Sequence, residues 1–174
     1  MHVLAGPYAA AAVVLAAGGL LKASRPAPTV GALRGVGLPG KPWLVRLLGA
    51  LEVGVGAAAL ALDAPAAAAM VAVSYVAFAG FVAVALRRAA MVGSCGCFGQ
   101  ADTPPTVTHL VINVAAAAVA VAVWARAPGA SFATVVAQQP LFGIPFALLC
   151  AICAGLVYLA FTRLAQLKEL RRRP

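Results

Sequence analysis

Four cysteines are the strongest nucleophiles in the chain, and they come in two pairs: Cys95 and Cys97 in "SCGCFG", Cys150 and Cys153 in "LLCAICAG". On a helix, a separation of three residues puts two side chains on one face, about one turn apart. Cys150 and Cys153 can therefore join at modest distortion. Cys95 and Cys97 flank a single residue among Gly93, Gly96 and Gly99. That spacing holds their Cα atoms near the upper end of the usual disulfide range of about 4.4–6.8 Å. A bond there closes a small, strained ring, and strained disulfides exchange readily rather than act as staples. Gly96 relaxes the backbone limits that would oppose such a turn. The chemistry on offer is reversible thiol–disulfide exchange. Plain packing is the alternative, since a cysteine in an apolar helix behaves as a small hydrophobe.

What must hold these groups in place follows from composition. Of 174 residues, 64% are hydrophobic and 10% charged, against roughly 25% charged in soluble domains. Mean hydropathy is +1.00. A soluble chain this short could not hide so much apolar surface, so the remaining solvent is lipid. The fold class is an all-α integral membrane protein. A bilayer core of roughly 30 Å needs about 20 apolar residues in a helix, and five stretches qualify: Val3 to Leu21, Trp43 to Leu62, Pro65 to Leu86, Val107 to Ala125 and Leu141 to Phe161. Their richness in alanine and glycine implies helices in close contact through small residues. Asp63-Ala64-Pro65 reads as a tight turn between two of them.

Orientation follows from the basic residues, which gather on the cytoplasmic side. Lys22, Arg25, Arg34, Lys41 and Arg46 follow the first span, Arg87 and Arg88 the third, and Arg163, Lys168, Arg171, Arg172 and Arg173 the fifth. The other side carries Arg126. With five spans, the N-terminus lies outside the cell (inner or plasma) membrane and the C-terminus in the cytoplasm. No lysine or arginine precedes Val3, so the first span reads as retained rather than as a cleaved signal. The net charge of +9 is then explained by anionic inner-leaflet lipids. Nucleic acid is not an expected partner, because the charges are spread beside span ends rather than gathered in one stripe.

This topology puts Cys95 and Cys97 on the side where thiols are kept reduced. Cys150 lies halfway along the fifth span, roughly 15 Å deep. Direct exchange between the pairs would need the segment between Arg88 and Val107, which has three glycines and no lysine or arginine, to dip inward. Such backbone is tolerated at membrane depth only when enclosed by protein. No metal is expected: four thiolates can bind zinc, but a single intervening residue is short for a ligand knuckle. Glu52 sits inside the second span, where a carboxyl is costly and reads as functional by default. It either carries a proton during thiol chemistry or pairs with Lys22 or Arg46. His109 and Asn113 share a helix face just after the cysteine turn. The histidine either promotes thiolate, the reactive form, or marks a helix end at the headgroups. Trp43, Trp124 and Tyr8 read as interface anchors.

The ordered series "AAGGLLKASRP", "GVGLP", "LLGALEVGVGAAALAL", "SCGCFG" and "HLVINVAAAA" resembles the MauE group of methylamine utilisation proteins, within the wider DoxX-like membrane proteins. The matching features are Lys22, Leu38-Pro39, Glu52, the Cys-Gly-Cys-Phe-Gly turn and Asn113, and the likeness covers roughly residues 1–126. One position departs: the family pattern has an arginine immediately before the asparagine, and Ile112 stands there. The resemblance implies a DoxX-like four-helix transmembrane bundle over 1–128; the apolar stretch and basic residues that follow add a fifth transmembrane helix and basic cytoplasmic tail over 129–174. The resemblance also implies a redox-associated membrane factor with a dithiol at Cys95 and Cys97, tied in MauE to maturation of a disulfide-rich periplasmic dehydrogenase subunit. Cys150 and Cys153 lie outside the likeness, which lends them no role.

The expected function is membrane thiol–disulfide redox transfer to exported proteins. Electrons would pass from Cys95 and Cys97 to Cys150 and Cys153 and on to a thioredoxin-like or disulfide-containing partner, with Glu52 handling protons. One alternative is a quinone-linked, disulfide-generating enzyme of the vitamin K epoxide reductase type, with a quinone as cofactor. Another is a non-catalytic subunit or chaperone of a membrane complex, whose cysteines only pack.

Overall fold

Prolines punctuate the chain. A proline fixes φ and lacks the N–H that a first helical residue would leave unpaired, so it starts helices and ends the ones before it. Pro26 follows the end of the first helix, and Pro42 and Pro65 each occupy a first helical turn. The computed structural model describes residues 4–88, 105–126, 133, 136 and 140–170, with side chains in the last stretch described over 143–157 and 159–160. Every regular element among them is a helix: α1 (Ala5–Ser24), α2 (Ala27–Gly35), α3 (Pro42–Ala61), α4 (Pro65–Arg87), α5 (Val107–Ala125) and α6 (Pro140–Leu170).

Helices α1, α3, α4 and α5 are each long and apolar enough to cross a membrane. Their limits fall within three residues of the stretches read from the sequence, and Asp63-Ala64-Pro65 forms the expected break between α3 and α4. In α6 the described apolar run is Gly143–Val157. On the four long helices, large apolar side chains such as Leu47, Leu51, Val73 and Val76 are exposed. On a soluble protein such a surface would mark an interaction site or an aggregation hazard; here it is the face that lipid solvates.

The tightest packing is between α1 and α3 and between α4 and α5. The first pair is antiparallel, because Gly19 meets Gly49 while Ala12 meets Gly56. A Cβ built on Gly19 would lie 2.5 Å from the Gly49 carbonyl oxygen, and one on Gly49 would lie 2.5 Å from that of Gly19. Only glycine allows this approach, as the small-residue composition predicts. The central core gathers Tyr8, Ala12, Leu15, Val71, Tyr75 and Ala120. Tyr8, expected at the interface, is buried at 4% exposure: the small side chains around it let α1 sink into the centre of the bundle, ring included. Trp43 and Trp124 are exposed near span ends, as expected.

Helix α2 was not foreseen. It packs through Ala32 against Ala85 of α4, with Val36 just beyond its end in the same cluster. The turn that follows it uses Gly37 at φ 82°, a conformation that strains any residue with a Cβ. Two arginines close this region by donating to carbonyls. Arg34 reaches Gly40 O through Nε and Nη2 at 3.1 and 2.9 Å, and Arg88 at the end of α4 reaches Val36 O.

Candidate functional site

The glycine crossing of α1 and α3 positions a charged pair. Lys22 lies one turn beyond Gly19, and Glu52 one turn beyond Gly49. Helical side chains lean toward their own N-terminus. In an antiparallel pair each therefore leans back over the crossing, toward the other. Lys22 Nζ donates to Glu52 Oε2 at 2.6 Å, with side-chain exposures of 5% and 3%. The Lys22 ammonium also stands 4.5 Å from the Phe78 ring centroid, a cation–π contact made stronger by exclusion of water. Phe78 meets Tyr75 edge-on at 5.9 Å, and the Tyr75 hydroxyl donates to Ala11 O at 2.7 Å.

Of the two partners the sequence offered Glu52, Lys22 is the one bound; Arg46 is exposed. Glu52 Oε1 is buried and has no hydrogen-bond partner among the described residues. A carboxylate so held can neutralise the ammonium and still accept one more proton donor. Tyr75 and Phe78 were missed as members of this site. Their signal was present: a tyrosine in mid-span needs a partner for its hydroxyl, and an aromatic three residues later shares its face.

His109 and Asn113 form a separate group at the start of α5. His109 lies in the first turn of α5 and is buried at 2% exposure. It closes a capping box with Thr106, its Nδ1 accepting the Thr106 backbone N–H at 3.2 Å and lying 2.7 Å from the Thr106 hydroxyl. The acceptor role of Nδ1 places the neutral ring's proton on Nε2, an assignment made from the hydrogen-bond pattern. Asn113 Nδ2 donates to the His109 carbonyl at 2.8 Å. The capping box satisfies backbone N–H groups at the helix start that would otherwise lack partners.

The second cysteine pair sits elsewhere. Cys150 and Cys153 are free thiols, one buried and one half-buried. Cys150 Sγ donates to Gly6 O at 3.9 Å, and both cysteines line one cavity together with Ile112, the residue that departs from the family pattern. Gly6 and Lys22 lie 16 residues apart on α1, roughly 24 Å along its axis. The Cys150–Cys153 pair is thus at the opposite end of the bundle from Lys22. Cys95 and Cys97 lie outside the described residues; the segment containing them leaves α4 at Arg88, beside α2 at the Lys22 end. The geometry gathers Lys22, Glu52 and Phe78, pairs Cys150 with Cys153, and keeps the two groups apart.

A family model, described as methylamine utilisation protein MauE, matches residues 2–126. The chain belongs to the MauE family. The match takes in α1 to α5, and therefore the MauE portion contains Lys22, Glu52, His109, Asn113, Cys95 and Cys97, while α6 with Cys150 and Cys153 lies beyond it. No curated protein and no solved structure matches the chain.

Proposed function

We propose that this MauE-family chain is a membrane thiol–disulfide redox factor that passes electrons or disulfides to exported proteins, in a maturation role within methylamine utilisation. Four spans form a DoxX-like bundle, α6 is the fifth, and the basic segments face the cytoplasm. Cys95, Cys97, Cys150 and Cys153 carry the exchange, and Glu52 holds the charge of Lys22 in place. The observation that carries this reading is the pairing of the cysteines at exchange spacing, with Cys150 and Cys153 on one wall of one cavity.

Redox trapping tests it. Intact cells are quenched with acid and treated with a mass-tagged alkylating reagent, and the state of each pair is read by gel shift and peptide mapping. Both pairs should cycle between thiol and disulfide when a client is expressed. Function retained in full after serine replacement of all four cysteines would replace this reading with a scaffold role. Side-specific labelling of Cys95 in the same cells fixes which face it occupies.

A further inference from the structure

A cavity of about 360 Å³ lies between α1, α5 and α6, with Tyr75 contributed by α4. Clefts of roughly 300–1,000 Å³ are the size in which small ligands are held. Its walls include Ala10, Val14, Ala116, Val119 and Leu149, and the hydrogen-bonding side chains on it are Tyr75, Cys150 and Cys153. The Tyr75 hydroxyl proton is given to Ala11 O and the Cys150 thiol proton to Gly6 O, which leaves the Cys153 thiol as the donor that first meets an occupant. Such a lining rejects any charged ligand, because nothing on it could replace lost hydration. It would suit a lipid chain, but a lipid chain makes no use of two thiols one turn apart. Together they offer two electrons and two protons. A hydrocarbon-soluble molecule that accepts both is a quinone.

We infer that this cavity binds a membrane quinone, and that Cys150 and Cys153 are the groups it oxidises. The inference rests on the redox reading of the cysteines above, but not on Cys95 and Cys97. Half-buried Cys153 meets the quinone ring, and buried Cys150, set against Gly6, completes the bond. Two S–H bonds break and one S–S bond forms. Both electrons and both protons end on the quinone oxygens, giving the hydroquinone, so no other oxidant is required. The disulfide is made at the Gly6 end of the bundle. It can pass to a client thiol there without a relay along the length of α1.

The test uses the full-length protein, reduced and desalted, in lipid nanodiscs under anaerobic conditions. The probe is decylubiquinone, whose fully substituted ring resists addition of thiols. Hydroquinone should form in step with a Cys150–Cys153 disulfide, identified by mass spectrometry of the digest. The Cys95→Ser/Cys97→Ser protein should do the same, and Cys153→Ser should not. Ala116→Phe, which puts a ring into the cavity, should slow the reaction about tenfold or more by steric exclusion. Leu47→Ala, on the exposed face of α3, should leave the rate unchanged, and thermal melting reports whether each variant stays folded. No hydroquinone from the reduced wild type overturns the inference, as does an undiminished rate in Cys153→Ser or in folded Ala116→Phe. A reaction lost only in Cys95→Ser/Cys97→Ser also overturns it, while leaving the proposed function standing.

Discussion

The Lys22–Glu52 pair can be tested by a double-mutant cycle with methionine, which is unbranched and close in length to both side chains. Both groups are nearly closed off from solvent, at 5% and 3% exposure, and 2.6 Å apart. Removing one partner leaves the other as an uncompensated buried charge, which costs about 3–5 kcal/mol. That is a shift of roughly two to four powers of ten in the folded-to-unfolded ratio. Lys22→Met and Glu52→Met should each show it. Replacing both removes the charges together, and a methionine sulfur at position 22 can still contact the Phe78 ring. The double variant should return to within about 1 kcal/mol of the wild type, because a buried pair is often no more stabilising than apolar residues of its size. The assay is reversible unfolding in mixed micelles, followed by circular dichroism. Additive single effects, or singles that cost less than about 1 kcal/mol against the buried-pair expectation, would refute the reasoning. The same proteins separate two roles for Glu52. A stable double variant that still cycles its cysteines assigns the carboxylate to structure; a stable variant that has lost cycling assigns it to proton transfer.

Gly19→Ala and Gly49→Ala should each destabilise by about 1–3 kcal/mol in the same unfolding assay, since the added methyl meets the opposing backbone. Gly54→Ala, whose Cβ would meet nothing within 4 Å, should be stabilising by about 0.5–1 kcal/mol, as a helix gains from losing a glycine. Thr106→Ala breaks the capping box at α5 and should cost about 0.5–2 kcal/mol, with faster hydrogen exchange confined to the first turn. Tyr75→Phe deletes the bond to Ala11 O and should cost about 0.5–1.5 kcal/mol, read as a lowered melting temperature.

The four long spans were legible because length and hydropathy decide them locally: a run of apolar residues ended by Pro or Asp, as at Asp63-Ala64-Pro65, needs no knowledge of its neighbours. Helix α2 was not, since nine residues between Pro26 and the Gly37 turn bury only a small face against α4 and give little periodicity to read. The residue types of the charged site were visible, but the choice between Lys22 and Arg46 depends on how α1 and α3 are registered. That register is set by Gly19 and Gly49, whose contact spans thirty residues of chain. Tyr8 was misread for a related reason: position near a span end says nothing about which helix lies at the centre. The shared cavity of Cys150 and Cys153 depends on which face of α6 meets α1, and an evenly apolar helix does not announce that face.

The antiparallel clasp of α1 and α3 also bears on how the protein is made. Glu52 lies near the middle of its helix, and a bare carboxylate at that depth resists transfer from the translocation channel into lipid by about 2.5–3.5 kcal/mol on insertion scales. Its counter-ion is synthesised thirty residues earlier, and so is already waiting when the second hairpin arm emerges. Delivery of the two helices as one neutralised hairpin, rather than as successive single strands, is the order of events this arrangement favours during biogenesis.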